Sequence, residues 1–313
     1  MSVGTNIKKR RYELKMSQQN LADAMGYKTR STIAKIEAGE NDVSQKKLQK
    51  FAAVLHTSVE ALISGYTSNF EPVATQRFFK SSNNTKNIVI ILAGGKSGRS
   101  GQNIPSQFIN VHGKPIIIHS MGAYQAHPLV DDIYIACLKG WEKIVQAYAE
   151  EHHINKVKGI ITGGNSGIIS LKNCYEYIKN YYNGEDNIII QEATRPLVSV
   201  ETISNLLQVC VEKNSATMCH YMKEYVQFTT CRGYAEYIDR EEVVALQSPE
   251  AHSLALMKEV FEMAESRNHT LIESCFTMLL YNLGYDINFV ESSVNNIKIV
   301  REEDIAAFAA LIK

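Results

Sequence analysis

Long apolar runs are missing from this chain. None reaches the roughly 18 residues that a membrane-crossing helix needs, so no membrane partner is expected. A basic N-terminal stretch, Lys8 to Arg11, is not followed by an apolar core, so a secretory signal is not expected. Cysteine is scarce: Cys137, Cys174, Cys210, Cys219, Cys231 and Cys275 form no CxxC pair, and the first 65 residues contain none. That argues against a disulfide framework or a thiolate zinc site and for a reducing, cytoplasmic setting. Cys219 and His220 are adjacent, but two neighbouring residues make a poor metal-ligand set. Net charge is also absent, since 33 basic residues balance 33 acidic ones. The balance is uneven along the chain. Residues 1–65 carry 11 Lys and Arg against 6 Asp and Glu, a net of +5, which leaves the remainder at −5. A basic head on an acidic body suggests a polyanion as the head's partner, although a solvated basic surface has the same composition.

The length, 313 residues, suits two domains, and 45% hydrophobic with 21% charged residues is ordinary for a globular protein. From Asn6 to Ser64 the spacing predicts closely packed short helices. The first runs from Ile7 to Lys15. The second follows Ser17, whose hydroxyl can cap a helix start, carries Leu21, Ala22 and Met25 on one face, and ends at Gly26. The third spans Arg30 to Ala38, with Ile33 and Ile36 inward and Gly39 closing it. A fourth carries Leu48, Phe51, Ala52 and Leu55, and a fifth begins with Val59, Leu62 and Ile63.

The string MSQQNLADAMGYKTRSTIAKIEAGE, with LQKFAAVLHTSVEALIS after it, resembles the lambda-repressor-like (Cro/XRE) family of helix-turn-helix domains. The resemblance implies that helix 2 crosses the DNA backbone and helix 3 enters the major groove. Read by position, it implies that Gln18 touches phosphate or a base edge. It places Arg30, Ser31, Thr32 and Lys35 on the DNA-contacting face of helix 3, where Arg can fork to guanine and the others reach bases or phosphates. The turn Tyr27–Thr29 is one residue longer than in the shortest members of that family, which leaves the register of Arg30 open by one position. A bundle of this shape also has a protein-binding reading; the basic residues on helix 3 favour double-stranded DNA, bound in a salt-dependent manner and tightly only by a dimer on paired half-sites.

Residues 66–86, rich in Ser, Asn and Thr, read as a linker, so the expected division is 1–65, 66–86 and 87–313. Phe78 and Phe79 within it are either a docking patch or a loose apolar pair. From Ile88 the pattern becomes that of alternating strands and helices. Ile88–Leu92, Ile133–Ala136, Gly159–Ile161, Asn187–Ile190 and Ile287–Val290 read as strands, which predicts an α/β domain with a mainly parallel sheet. The first strand runs into Ala93–Gly94–Gly95–Lys96–Ser97–Gly98–Arg99. Such a loop presents backbone N–H groups to a phosphate chain, or serves only as a tight strand–helix turn; it is not the P-loop pattern. Ligands of such sheets bind at the carboxyl ends of the strands, where this loop, Gly163–Gly164 and Gln191–Pro196 all fall.

In order, the chain shows LAGGKSGRS, PSQF (105–108), GKPII (113–117), GGNSGIIS (163–170), QEATRP (191–196), Asp239–Arg240 with QSPE (247–250), and NIKIV (296–300) with Glu303–Asp304. This series resembles the methylerythritol-phosphate and ribitol-5-phosphate cytidylyltransferases. It implies a Rossmann-like nucleotidyltransferase domain behind the small all-α head. It also implies an activity in which an alcohol phosphate attacks the α-phosphorus of CTP beside Mg2+ and releases pyrophosphate, and a homodimer with an arm near Tyr221–Arg240. By position, Arg99, Glu192 and Lys298 fall among the catalytic residues, with Lys96 in the same loop as a further candidate, Ala93, Gly94, Gly95, Ser97, Gly98, Gly164, Ser170 and Arg195 on the nucleotide, Arg240 and Lys298 on the substrate phosphate, and Glu192 on the metal.

The chain departs from the family pattern in several places. Ser106 stands where PKQF has its lysine, and Ser97 replaces a loop glycine. Glu192 replaces an aspartate, Gly167 an arginine, and Ser274–Cys275 a Thr–Asp pair. Lys96 either replaces the lost lysine or faces solvent. Losing a charged contact in a water-poor site weakens transition-state stabilisation more than base or ribose binding. The expected function is therefore a DNA-binding regulator whose body binds CTP, a CDP-alditol or a polyol phosphate. The alternative is a working cytidylyltransferase with a DNA-binding head, and a third reading leaves the body only a dimerisation role.

Overall fold

A computed structural model describes residues 3–14, 16–27, 29–41, 43–55, 57, 59–64, 85–96, 104–229 and 235–312. The chain divides into two compact units, 1–81 and 82–313, a boundary inside the expected linker. Phe78, Phe79, Ser97, Gly98, Arg99 and Cys231 lie outside the described residues.

In the first unit the elements among the described residues are all helices: α1 (Val3–Glu13), α2 (Gln18–Met25), α3 (Arg30–Glu37), α4 (Gln45–Val54) and α5 (Val59–Ser64). The Ser17 hydroxyl accepts from the Asn20 N–H at 3.0 Å and starts α2; Gly26, at φ +75°, ends it in the left-handed region that glycine enters without a Cβ clash. Ile7, Leu21, Ile33, Phe51 and Leu55 are fully buried at the centre. Helix α1 begins at Val3, four residues earlier than the spacing predicts, and Gly4 lets it lie against α3: a Cβ there would stand 2.0 Å from the Ile36 carbonyl oxygen.

The second unit is built on a seven-stranded sheet. Its strands are β1 (Asn87–Ala93), β4 (Asp132–Cys137), β5 (Val157–Thr162), β6 (Asn187–Glu192), β7 (Ser215–Tyr221), β10 (Val244–Ser253) and β11 (Phe289–Glu291), in the order β11-β7-β10-β6-β1-β4-β5. Among them β10 alone runs antiparallel to its neighbours. Two small hairpins are separate, β2 (Asn110–Val111) with β3 (Lys114–Pro115) and β8 (Gln227–Thr229) with β9 (Glu236–Ile238). The helices are α6 (Ile116–Ala126), α7 (Glu142–Glu151), α8 (Gly167–Ile178), α9 (Val200–Lys213), α10 (Leu254–Ser266), α11 (Phe276–Leu283) and α12 (Glu302–Leu311).

Side chains alternate across a strand, so β1 feeds two cores. Val89 and Ile91 pack with Met121 and Tyr124 of α6, Val145 of α7 and Leu206 of α9. Ile88 and Ile90 pack with Leu171 of α8, Phe261 of α10 and Phe276 of α11 on the other face. Each such side chain stabilises the fold by about 1.5–3 kcal/mol. Strand β1 pairs with β4 on one side and β6 on the other, so the chain reverses its direction across the sheet at β1. A doubly wound sheet opens a crevice at such a point, beyond the carboxyl ends of β1 and β6.

Candidate functional site

The glycine loop leaves β1 at that crevice. Gln107, in the short turn Ser106–Phe108, donates from its side-chain amide to the carbonyls of Ala93 (3.0 Å) and Gly95 (2.8 Å). Phe108 stacks on Trp141 with ring centres 4.2 Å apart, which anchors the other end of the turn. Ser106, next to these anchors, is buried, with no hydrogen-bond partner for its hydroxyl among the described residues. Lys96 is exposed.

A second glycine pair meets the first through one hydroxyl. Ser170 Oγ accepts from the Gly164 N–H at 3.0 Å and donates to the Ser166 carbonyl at 2.7 Å. Cβ atoms on Gly94 and Gly163 would stand 3.2 and 3.1 Å from that same oxygen. Gly164 admits no side chain, because a Cβ would lie 2.2 Å from Ile169 Cγ2. Ser170, expected near a base, is thus also the latch that joins the two loops. A Cβ on Gly167 would stand 3.3 Å from the Ser274 carbonyl oxygen.

At the end of β6 the side chain of Glu192 holds two cations. Lys298 Nζ contacts Oε1, and Arg195 Nε donates to Oε2 at 2.8 Å. Arg195 also donates to the Asn296 carbonyl at 2.7 Å. The turn beneath is fixed by Gln191, fully buried, whose amide donates to the carbonyls of Glu192 (3.1 Å) and Arg195 (2.9 Å) while its oxygen accepts from the Tyr124 hydroxyl. Ile299 N–H donates to the Thr194 carbonyl, which seats Lys298 beside the turn. Asn296 contacts the Ser248 carbonyl at 2.7 Å and the Gln247 side chain at 3.1 Å, and Ser248 in turn accepts from the Glu192 N–H. Gln191 and Asn296 lie in segments expected at the site but were given no role of their own; a polar residue ending an apolar strand was the available signal for Gln191.

The structure therefore gathers Ala93, Gly94, Gly95, Gly164 and Ser170 at one loop pair, and Glu192, Arg195 and Lys298 in one ion cluster. Arg240 is not part of that cluster: it is half-exposed, 3.9 Å from Glu241 on the segment before β10. The resemblance also implies Mg2+ at Glu192. Magnesium prefers oxygen ligands in octahedral array, yet both oxygens of this carboxylate already face a cation. Among the described residues no three His, Cys, Asp or Glu side chains converge on a metal position. The residues present do not fit a protein-bound divalent ion. Cys275 at the start of α11 stays a thiol, since burial, reinforced by Glu250, pushes it up to about 11.

In the helical unit, Arg30, Ser31 and Lys35 are exposed on α3 and Thr32 is half-buried. Gln18, expected at a phosphate or base, has its amide N–H on Glu37 at 2.9 Å; Glu37 is buried and also accepts from Arg11 at 2.6 and 2.9 Å. Gln18 thus ties α2 to α3. Among the described residues no helix is long and apolar enough to cross a membrane.

A mainly parallel sheet with glycine loops at its switch point and an ion cluster past the next strand defines a nucleotidyltransferase fold, here behind a helix-turn-helix unit. Residues 87–313 match the family 2-C-methyl-D-erythritol 4-phosphate cytidylyltransferase, and residues 7–62 match a helix-turn-helix family. The chain belongs to that cytidylyltransferase family, with a helix-turn-helix DNA-binding domain fused ahead of it. It is 30% identical over 226 residues to the ribitol-5-phosphate cytidylyltransferase of Lacticaseibacillus paracasei, covering 72% of this chain and 97% of that one. It is 27% identical over 222 residues to a 2-C-methyl-D-erythritol 4-phosphate cytidylyltransferase of Clostridium botulinum, covering 71% and 95%. The fold matches the 4-diphosphocytidyl-2C-methyl-D-erythritol synthase of Anaerococcus prevotii with a TM-score of 0.62 at 17% identity, covering 73% of this chain and 98% of that chain. The Francisella tularensis cytidylyltransferase gives 0.60 at 21% identity, covering 72% and 100%.

Proposed function

We propose that the protein is a DNA-binding transcription regulator whose body senses a cytidine nucleotide, a CDP-alditol or a polyol phosphate, with catalysis weakened or lost. The observation that carries this reading is the contrast inside the crevice. Gly94, Gly163 and Gly164 are gathered around Ser170, with Gly164 sterically required. At the anchored turn beside them, the position that resembles the catalytic lysine of the relatives holds the neutral, buried Ser106. Binding depends on the loops, whereas phosphoryl transfer depends on charge placed at the reacting phosphates. The head supplies exposed Arg30, Ser31 and Lys35 for DNA. For sensing, the ligand must bind one arrangement of the protein better than another.

The second reading, an active cytidylyltransferase carrying a DNA-binding head, draws on Lys298, Arg195 and Lys96, which leave cations at the crevice. Pyrophosphate release from CTP and Mg2+, with ribitol 5-phosphate and methylerythritol phosphate offered in turn, separates the two. The regulator reading expects release no faster than from an Arg99→Ala control, and a shift of DNA affinity when nucleotide is added. Release well above the control, with DNA affinity indifferent to nucleotide, overturns it.

A further inference from the structure

Gln107 is a buried polar residue in the turn beside the glycine loop. A side-chain amide nitrogen carries two N–H donors, and each of those on Gln107 meets a carbonyl of the loop, Ala93 at 3.0 Å and Gly95 at 2.8 Å. That nitrogen has no donor left for a ligand. The turn itself is fixed: the Phe108 N–H donates to the Pro105 carbonyl at 2.9 Å, and the Phe108 ring lies on Trp141 only 7° from parallel.

Where these carbonyls point decides where the next N–H groups point, because C=O and N–H face opposite ways in a trans peptide unit. The Ala93 carbonyl faces the β4 side, where it also accepts from the Leu138 N–H at 3.1 Å; the Leu92 carbonyl before it accepts from the Ala193 N–H on the β6 side. The Gly94 N–H is therefore turned to the β6 side, over the crevice. The Gly95 carbonyl likewise turns the Lys96 N–H away from Gln107. Among the described residues neither N–H meets a protein acceptor. On its other flank the loop is held by close packing, since a Cβ on Gly94 would stand 3.2 Å from Ser170 Oγ. Backbone donors aimed in this way bind an anion without any side-chain charge, and donors fixed before the ligand arrives need no reordering.

We propose that Gln107 is a positioning residue: it touches no ligand, but by holding the Ala93 and Gly95 carbonyls it aims the N–H groups of Gly94 and Lys96 at the phosphates of a bound nucleotide. The proposal rests on the nucleotide-sensing reading above and adds the residue by which the crevice tells a nucleotide from a bare nucleoside. Phosphate binding depends on Gln107, whereas binding of the base and ribose does not. A methionine in its place is of similar length but has no donor, so both carbonyls lose their tie and the loop N–H groups lose their aim.

The test is calorimetric titration of the full chain, and of its Gln107→Met variant, with cytidine and with CTP. The variant should bind cytidine as the parent does and CTP about tenfold more weakly or worse, the loss expected when hydrogen bonds to a charged group go. Equal losses for cytidine and CTP would mean that Gln107 only packs the loop, and unchanged CTP affinity would mean that it does not aim the donors; either result overturns the proposal. Should the variant fail to fold, amide resonances of the 15N-labelled parent decide: CTP, and not cytidine, should move the Gly94 and Lys96 amide protons downfield. Bound CTP that leaves those two protons unmoved, or cytidine that moves them as far, overturns the proposal. If the CTP effects appear as expected while DNA affinity is indifferent to nucleotide, the sensing reading fails and the role of Gln107 stands. A parent that binds neither ligand overturns both.

Discussion

A methyl group at Gly164 would stand 2.2 Å from Ile169 Cγ2, and the nearby Ser170 hydroxyl depends on the Gly164 N–H staying where it is. Gly164→Ala is therefore expected to push the two loops apart, at a cost of about 1–3 kcal/mol typical of overpacking. Nucleotide affinity should fall with it, and calorimetry on the folded variant checks this; unchanged affinity would remove the latch from the binding argument. In the head, Glu37 accepts from Arg11 twice and from Gln18 once, inside the helical core. The Glu37 hydrogen bond, offset in part by burial, raises Arg11 above its ordinary value, so the guanidinium keeps its charge. Glu37→Ala leaves that guanidinium buried without its carboxylate, which costs about 3–5 kcal/mol. The helical unit should then melt well below the α/β unit, seen as an early loss of helical circular dichroism; a single unshifted transition counts against it. At this scale the sequence was legible where a residue type has few uses, as with the loop glycines. It was less legible where a residue has several. Ser170 and Gln18 were expected to face ligands, and both are used first to hold neighbouring segments, because a hydroxyl or amide can satisfy a loop carbonyl as readily as a ligand.

Elements carry the next level. The exposed side of α3 offers Arg30 and Lys35 to a DNA groove, but the two cations should differ in what they read. If Arg30 reaches a base edge, Arg30→Ala costs about 1–3 kcal/mol and relaxes preference at one base pair; a phosphate contact from Lys35 lowers affinity for all sequences and reduces the salt slope by about 1. Shift assays over a salt series distinguish them, and equal, sequence-blind losses for both would refute base readout by α3. In the body, buried Glu250 of β10 caps α11, accepting from the N–H groups of Phe276 (3.1 Å) and Thr277 (2.8 Å) and from the Thr277 hydroxyl. Burial pushes its carboxyl up, but His252, 3.5 Å away, and the Thr277 donors outweigh it and leave it below the usual carboxylate range. A depressed folded-state value means stability that is complete above the unfolded carboxylate value and lost as pH falls through the depressed one. Glu250→Gln should lower neutral stability by about 2 kcal/mol and flatten the acid side of the urea midpoint profile; an acid limb identical to the parent's would exclude Glu250 as its source. Strand β10 is also where element-level reading failed. It contains Pro249, which cannot donate to a ladder, and the register shifts between Leu246 and Glu250. The continuous apolar runs of β1, β4 and β6 were legible because buried parallel strands have no polar face to interrupt them.

At the scale of the whole molecule, the hairpin β8–β9 stands outside the main sheet, yet it is rich in exposed apolar side chains: Tyr225, Val226, Phe228 and Tyr237. Phe228 and Tyr237 face each other across it, ring centres 6.0 Å apart. A two-stranded hairpin has little stability of its own in water, and apolar side chains gathered on one mark a contact surface. The expected homodimer places its arm in this segment, and a second copy of the chain is the natural cover for it. A dimer would also bring two helix-turn-helix heads to one DNA molecule, so that the second head binds as an intramolecular event. Phe228→Glu with Tyr237→Glu should then convert the protein from twice the chain mass to once, as read by analytical ultracentrifugation. Affinity for a paired operator should drop by about 10²–10⁴, the range that linked binding adds, while affinity for a single half-site stays constant. A double variant that still sediments as a dimer places the contact elsewhere. One that becomes monomeric yet keeps full affinity for the paired operator shows that each head binds alone, and that ligand in the body cannot act on DNA by way of the dimer.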